Sequence, residues 1–312
     1  LKTSLLKWRP DFEIAADEYS KAATCFKNGK SFEQCKECLL KAADCHKQNR
    51  SYPFQVYILS HSCIDQAVLV CKDLGDYRDV ASMAERACNL YQQHGSPDSG
   101  SASLDKAAKL LESQHPEQAL RLYQHAAEVV LIEDSPRQGA EFTSKVARLM
   151  VKLQMYDQAA DAIRREIGLH QQSENIAAIG RLAVALVLVQ LARGDTVAAE
   201  KAFKEWGNCC DVSEVQTLEM LLQAFDEEDP QAARQALNSP FIKHMDVEYS
   251  RLARDLPLPE GEVPVSRPSI RKNAAPSYVS PKTLSGASGN SEVRAQVLKD
   301  ALMLVSIMVF DT

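Results

Sequence analysis

The chain has 312 residues, 45% of them hydrophobic, enough for one long array or two ordinary domains with a core. Lys plus Arg number 36 against 42 Asp plus Glu, a net charge of −6, which excludes the global basic field that draws nucleic acid. Nine cysteines, an odd count without the compact spacing of a disulfide scaffold, read as reduced thiols. No secretory-type N-terminal segment and no uninterrupted apolar run of transmembrane length occur, so a cytosolic chain is expected, with any membrane contact peripheral.

In chain order, residues 1–9 set Leu5, Leu6 and Trp8 among Lys2, Lys7 and Arg9, just ahead of a Pro10-Asp11 helix start. Apolar tips among cations suit a membrane interface; periodicity alone favours the plainer reading, that they cover the end of a first repeat's core. Helices are expected over 11–27 and 31–48, parted by Asn28-Gly29-Lys30, with Gly29 as C-cap and stop. Residues 49–72 are the least regular, and Pro53 there either opens a helix or interrupts one. Gly75-Asp76 opens the next hairpin, His94-Gly95-Ser96-Pro97-Asp98 breaks it, and the return helix is expected over 104–113.

Further helices follow over 116–130, 138–154, 156–172, 175–192 and 196–206. The fourth of these is apolar nearly all round, with Arg181 the only charge between Ala177 and Leu191. It should therefore be the most buried, and its Arg should need a partner. Shorter helices over 212–225, 230–237 and 241–256 would cap the array, with Asp226-Glu227-Glu228-Asp229 as an acidic turn favouring the next helix N-terminus. Beyond Leu256 the composition turns to Pro, Ser, Gly and Lys, which predicts disorder, and a short apolar stretch ends at Phe310.

One pattern recurs through these helices. Pro116 is followed by Ala119 and Tyr123, three and seven residues on, so a small and a large side chain share a stripe. Matching frames start at Phe12, Phe32, Tyr77, Tyr156, Thr196 and Pro230; from Tyr77 to Pro116, Tyr156 and Thr196 the steps are 39, 40 and 40 residues. Such a step holds two helices and two turns, the period of a helical-hairpin solenoid, with the small slot marking the closest helix approach. The expected fold is all-α.

No phosphate loop, His-Glu-x-x-His, Gly-x-Ser-x-Gly or calcium-loop pattern is present, so the chain is not expected to be an enzyme or to carry a cofactor. Cys35-Lys-Glu-Cys38 lacks a second Cys-x-x-Cys, and Cys35 occupies the small slot, so buried thiols are expected there and no metal. The positive signal is charge on the return helices. Lys145, Arg148 and Lys152 form one stripe at i, i+3 and i+7, and Lys106 and Lys109 a shorter one a repeat earlier. Corresponding helices of a solenoid line one surface, so these stripes, with Arg181, either are ordinary solvated faces or form a ridge for an elongated acidic partner.

Several phrases carry a family resemblance: Leu1-Lys-Thr-Ser-Leu-Leu-Lys-Trp-Arg-Pro-Asp-Phe, Glu18-Tyr-Ser-Lys-Ala-Ala, Ala107-Ala-Lys-Leu-Leu-Glu, Pro116-Glu-Gln-Ala-Leu-Arg-Leu-Tyr-Gln and Asn238-Ser-Pro-Phe-Ile-Lys-His-Met-Asp. From Leu1 to about Leu256 the chain resembles the soluble NSF attachment proteins, and among them the gamma form. The resemblance implies a right-handed superhelical array of tetratricopeptide-like hairpins with a C-terminal helical bundle. The implied division is a loop at 1–9 in a truncated first hairpin, an array at 10–206, a bundle at 207–256 and a disordered tail at 257–312. It implies an adaptor, monomeric when free, cytoplasmic and peripherally bound to secretory-pathway membranes. Such an adaptor coats assembled SNARE complexes and recruits the hexameric ATPase NSF.

By the same resemblance Lys109, Lys145 and Arg181 match SNARE-facing positions, with Arg148 on their stripe; Leu5, Leu6 and Trp8 match a membrane-touching loop; and Asp226 and Glu227 match the acidic positions that meet NSF. The chain departs from the family in lacking a preceding helix, in the stretch 52–64, and in ending without the family's acidic tail. SNARE binding is accordingly expected ahead of ATPase stimulation. The competing expectation is a generic repeat scaffold whose apolar tail, 292–310, docks a different complex.

Overall fold

The computed structural model describes residues 11–48 and 53–259, the side chains of 53–58 excepted. Leu5, Leu6, Trp8 and the tail beyond 259 therefore lie outside the described residues. Among the described residues there are helices and no strand: α1 Phe12–Asn28, α2 Phe32–Gln48, α3 Pro53–Leu74, α4 Val80–Gln93, α5 Pro97–Leu111, α6 Pro116–Ile132, α7 Pro136–Lys152, α8 Tyr156–Gln172, α9 Ile176–Arg193, α10 Thr196–Trp206, α11 Val212–Asp226, α12 Pro230–Leu237, α13 Pro240–Lys243 and α14 Val247–Asp255. All of them fall in one compact unit, Leu1–Val263.

From α1 to α10 each helix packs mainly on its chain neighbours, the contact pattern of a hairpin array. The turns that reverse the chain share one geometry. At Ser31, Ser135, Met155, Asn175, Asp195 and Asp229 the backbone N–H donates to the carbonyl five residues earlier, as in Ser31 to Phe26 at 2.8 Å and Met155 to Met150 at 2.9 Å. The residue just before the donor takes left-handed φ: Lys30, Asp134, Gln154, Glu174 and Glu228 near +55°, and Gly194 at +84°. This closure satisfies carbonyls that the helix end leaves unpaired. It also corrects the expectation at the first turn, where Gly29 has φ −78° and Lys30 carries the left-handed conformation. Pro97, Pro116, Pro136, Pro230 and Pro240 open their helices at positions where a missing N–H costs nothing.

The repeat frame is the core. Ala119, Ala159, Ala199 and Ala233 are completely buried in the small slot, and Tyr123 and Ile163 fill the large one beneath solvent reach. Bonds between alternate helices read the same period: Ser103 to Asp65 spans 38 residues, and both Lys145 to Asp105 and Lys152 to the Glu112 carbonyl span 40. The longer 45-residue step between the Phe32 and Tyr77 frames has a simple cause. Helix α3 has 22 residues against 17 in α2, an excess of five that absorbs the difference, and Pro53 opens it.

Three other expectations change. Helix α5 begins at Pro97, so the breaker cluster is a short turn and the return helix is longer than 104–113. The expected single helix over 241–256 is two, α13 and α14, split at His244-Met245-Asp246 because Asp246 takes an extended conformation as the α14 N-cap. Helix α9 does reach the length and apolarity to cross a bilayer, with mean hydropathy 1.8. Its residues 182–191 are nevertheless all buried in protein, which makes it the central core helix of the array. Arg181 lies on its open side and is exposed, and its charge acts on the buried carboxylate of Glu214.

The nine cysteines are free thiols, and burial raises the Cys35 thiol above its usual range. Among the described residues no group of three His, Cys, Asp or Glu side chains is placed to hold a metal.

Candidate partner-binding site

The return helices α5, α7 and α9 carry the basic residues, and those on α5 and α7 are joined by side-chain contacts. Lys145 and Lys109 meet at a single carboxylate: Lys145 Nζ is 2.7 Å from Asp105 Oδ1, and Lys109 Nζ is 2.7 Å from Asp105 Oδ2. Lys145 also donates to Glu141 Oε1 at 3.1 Å and sits 4.8 Å from the centre of the Phe142 ring. Its side chain is only 13% exposed, whereas that of Lys109 is 60% exposed. Burial works against charge on both Asp105 and Lys145. Hydrogen bonds from Lys109 and Lys145 outweigh it at Asp105, and those to Asp105 and Glu141 outweigh it at Lys145, so the Asp105 carboxyl lies below its ordinary range and the Lys145 ammonium above its own.

The stripe Lys145, Arg148, Lys152 is therefore not the free basic face that spacing suggested. Lys152 Nζ donates to the Glu112 carbonyl oxygen at 3.1 Å, crossing from α7 to α5. Tyr123 donates to Glu112 Oε1 at 2.6 Å, tying the large slot of α6 to the same point. Arg148 Nη1 lies 3.7 Å from Asp246 Oδ2, at the start of α14. Asp105 escaped the reading of basic spacing, although its positions four before Lys109 and 40 before Lys145 were there to be read.

Arg181 opens onto a cleft of about 480 Å³ between α7, α8 and α9 on one side and the 241–249 segment on the other. Helix α14 packs on α7 and α9 and closes that side of the array. Under the cleft lie Glu166 and Tyr249, both buried; Glu166 Oε2 and the Tyr249 hydroxyl have no hydrogen-bond partner among the described residues. Burial raises the Glu166 carboxyl, against the opposing pull of His170 and Ser144, and raises the Tyr249 phenol further. Sequence spacing gave no sign of this cluster, because its members come from three helices.

Asp226 ends α11 and Glu227 follows it; both are exposed, and Glu227 accepts a hydrogen bond from Gln223 Nε2 at 2.7 Å. The other two acids of that turn have structural tasks. Glu228 carries the left-handed φ, and Asp229 accepts from Gln231 N at 2.8 Å and Ala232 N at 3.1 Å as the α12 N-cap.

The chain was compared with known proteins. Residues 8–239 match the family model described as soluble NSF attachment protein, SNAP. The gamma-soluble NSF attachment protein of Dictyostelium discoideum is 23% identical over 276 residues, covering 88% of this chain and 83% of that protein. The Arabidopsis thaliana protein of the same name is 23% identical over 262 residues, covering 82% and 87%. The alpha-soluble NSF attachment protein of Vitis vinifera is 26% identical over 227 residues, covering 70% and 75%.

Proposed function

The chain belongs to the soluble NSF attachment protein family, and from that premise we propose that it is an adaptor that binds assembled SNARE complexes and recruits NSF for their disassembly. Support comes from the match over residues 8–239 and from the hairpin array, a stiff element able to pass a motor's motion to a bound helical bundle. The adaptor performs no covalent step; the force and the nucleotide chemistry belong to the ATPase.

The observation that carries the binding half is the exposed Lys109 ammonium beside the Asp105–Lys145 pair, with Arg181 exposed on α9. In this reading Lys109 and Arg181 touch the acidic bundle, while Lys145 and Arg148 hold the helices that present them. Asp226 and Glu227, exposed at the α11–α12 turn, meet the ATPase. Leu5, Leu6 and Trp8 touch the bilayer, giving a cytoplasmic monomer held peripherally at secretory-pathway membranes. The array is taken to run over residues 10–206 and the terminal bundle over 207–256.

The test is a pull-down of assembled SNARE bundle at physiological salt by wild type and by a Lys109→Glu, Arg181→Glu variant. Both sites are exposed, and circular dichroism with urea unfolding checks that the variant keeps its fold. About a tenfold loss of capture is expected. Equal capture by the two proteins would remove this face from the mechanism.

A further inference from the structure

A second group of cations is largely without ion pairs among the described residues. Arg234 on α12 and Lys243 on α13 make no ion pair among the described residues, and Arg254 on α14 pairs with its chain neighbour Asp255 at 2.9 Å. All three line one open bowl of about 700 Å³, whose floor includes the buried Leu237, Ile242 and Leu256. Among the described residues no carboxylate lines the bowl, in a chain whose net charge is −6. Its floor is held by core packing, since Leu237, Ile242 and Leu256 all belong to the continuous hydrophobic core.

We propose that this bowl is a docking site for an acidic peptide segment of a partner protein, one that carries apolar side chains between its carboxylates. Three cations on separate helices around a recessed apolar floor match such an occupant: carboxylates at the rim, an aliphatic or aromatic side chain below. Asn238, which also lines the bowl, has its Nδ2 engaged by the Arg234 carbonyl at 2.9 Å, so its Oδ1 is left to accept a peptide N–H. A bilayer fits less well. A recessed floor is reached by a protruding side chain and not by a membrane plane, and an anionic surface repels a chain of this net charge. The bowl shares no residue with the Lys109–Arg181 face, so the inference stands apart from the SNARE-binding reading.

The experiment is fluorescence polarisation on the full chain with a short fluorescein-labelled peptide of repeated Asp-Leu-Glu-Phe units. Arg234→Glu combined with Lys243→Glu changes two exposed side chains and should leave the circular dichroism spectrum unaltered. Wild type is expected to bind the peptide, the double variant at least about tenfold more weakly, and the Lys109→Glu, Arg181→Glu variant as well as wild type. Failure of wild type to bind, or equal binding by the double variant, would overturn the site. Equal affinity for an Asp-Ser-Glu-Ser peptide would overturn the role of the apolar floor. Capture of phosphatidylserine vesicles through Arg234 and Lys243, with no peptide binding, would assign the bowl to a membrane and overturn the proposal.

Discussion

Two sets of cations on this chain behave in opposite ways. On α5 and α7, Lys109, Lys145 and Lys152 are arranged at repeat spacing; Lys145 and Lys152 are answered from within, by Asp105, by Glu141 or by the Glu112 carbonyl, while Lys109 shares Asp105 and keeps its side chain 60% exposed. On α12 and α13, Arg234 and Lys243 have no such spacing and no ion pair among the described residues, yet they converge on one bowl with Arg254. Regular spacing thus identifies residues that can cross-link neighbouring repeats. Charge left over for a partner shows only when the counter-ions are counted. Helix α14 joins the two regions, with Tyr249 buried against α7 and α9 and Arg254 on the bowl.

The contrast is tested most strongly at Asp105. Asp105→Asn leaves Lys145, 13% exposed, with Glu141 as its remaining ion-pair partner, and should cost about 2 kcal/mol of stability, less than a fully buried charge because of that partner. Urea unfolding at neutral pH measures it. Because the Asp105 pKa is lowered by folding, its contribution is present above the unfolded carboxyl range and is lost as pH falls through the folded value. Wild type and variant should therefore converge in acid. Persistence of the full difference there would show that the carboxylate charge is not the cause.

Glu166 provides the opposite sign beneath α14. Its pKa is raised, so its contribution is present below the unfolded value and is lost as pH rises through the folded one. Glu166→Gln is expected to gain about 1 kcal/mol at pH 7 and nothing near pH 4, read from the same urea melts. A loss at pH 7 would mean that His170, 3.8 Å away, makes the ionised carboxylate a net stabiliser.

The smallest effect should come from the bowl. Arg234→Ala with Lys243→Ala removes charges that support no ion pair among the described residues, and stability should stay within about 0.5 kcal/mol of wild type. A larger loss in thermal unfolding would give these cations a structural task and weaken the contrast with Asp105.

The fold was legible because its cause is local and repeated. Ala119, Ala159 and Ala199 sit in the same register, with Tyr123 and Ile163 four residues further on in two of these frames, and proline marks several helix starts. Side-chain size and helix period alone therefore carry the hairpin array, and all these positions are buried as their slots require. The irregularity of residues 49–72 was legible too, although only the 22-residue α3 showed where the extra length went. The helix break at 244–246 was not legible, since it depends on α14 turning back to pack against α7 and α9.

By itself the sequence determined most of the helices, their period, the family and the presence of cations on α5, α7 and α9. The tertiary structure decided which of those cations remain available to a partner. The reason is range: helix period and turn chemistry act over a few residues, whereas the pairing of Lys145 with Asp105 spans 40 residues and that of Arg148 with Asp246 joins helices far apart in the chain. Charge is a property of composition, but its neutralisation depends on distances of a few ångströms that only packing sets.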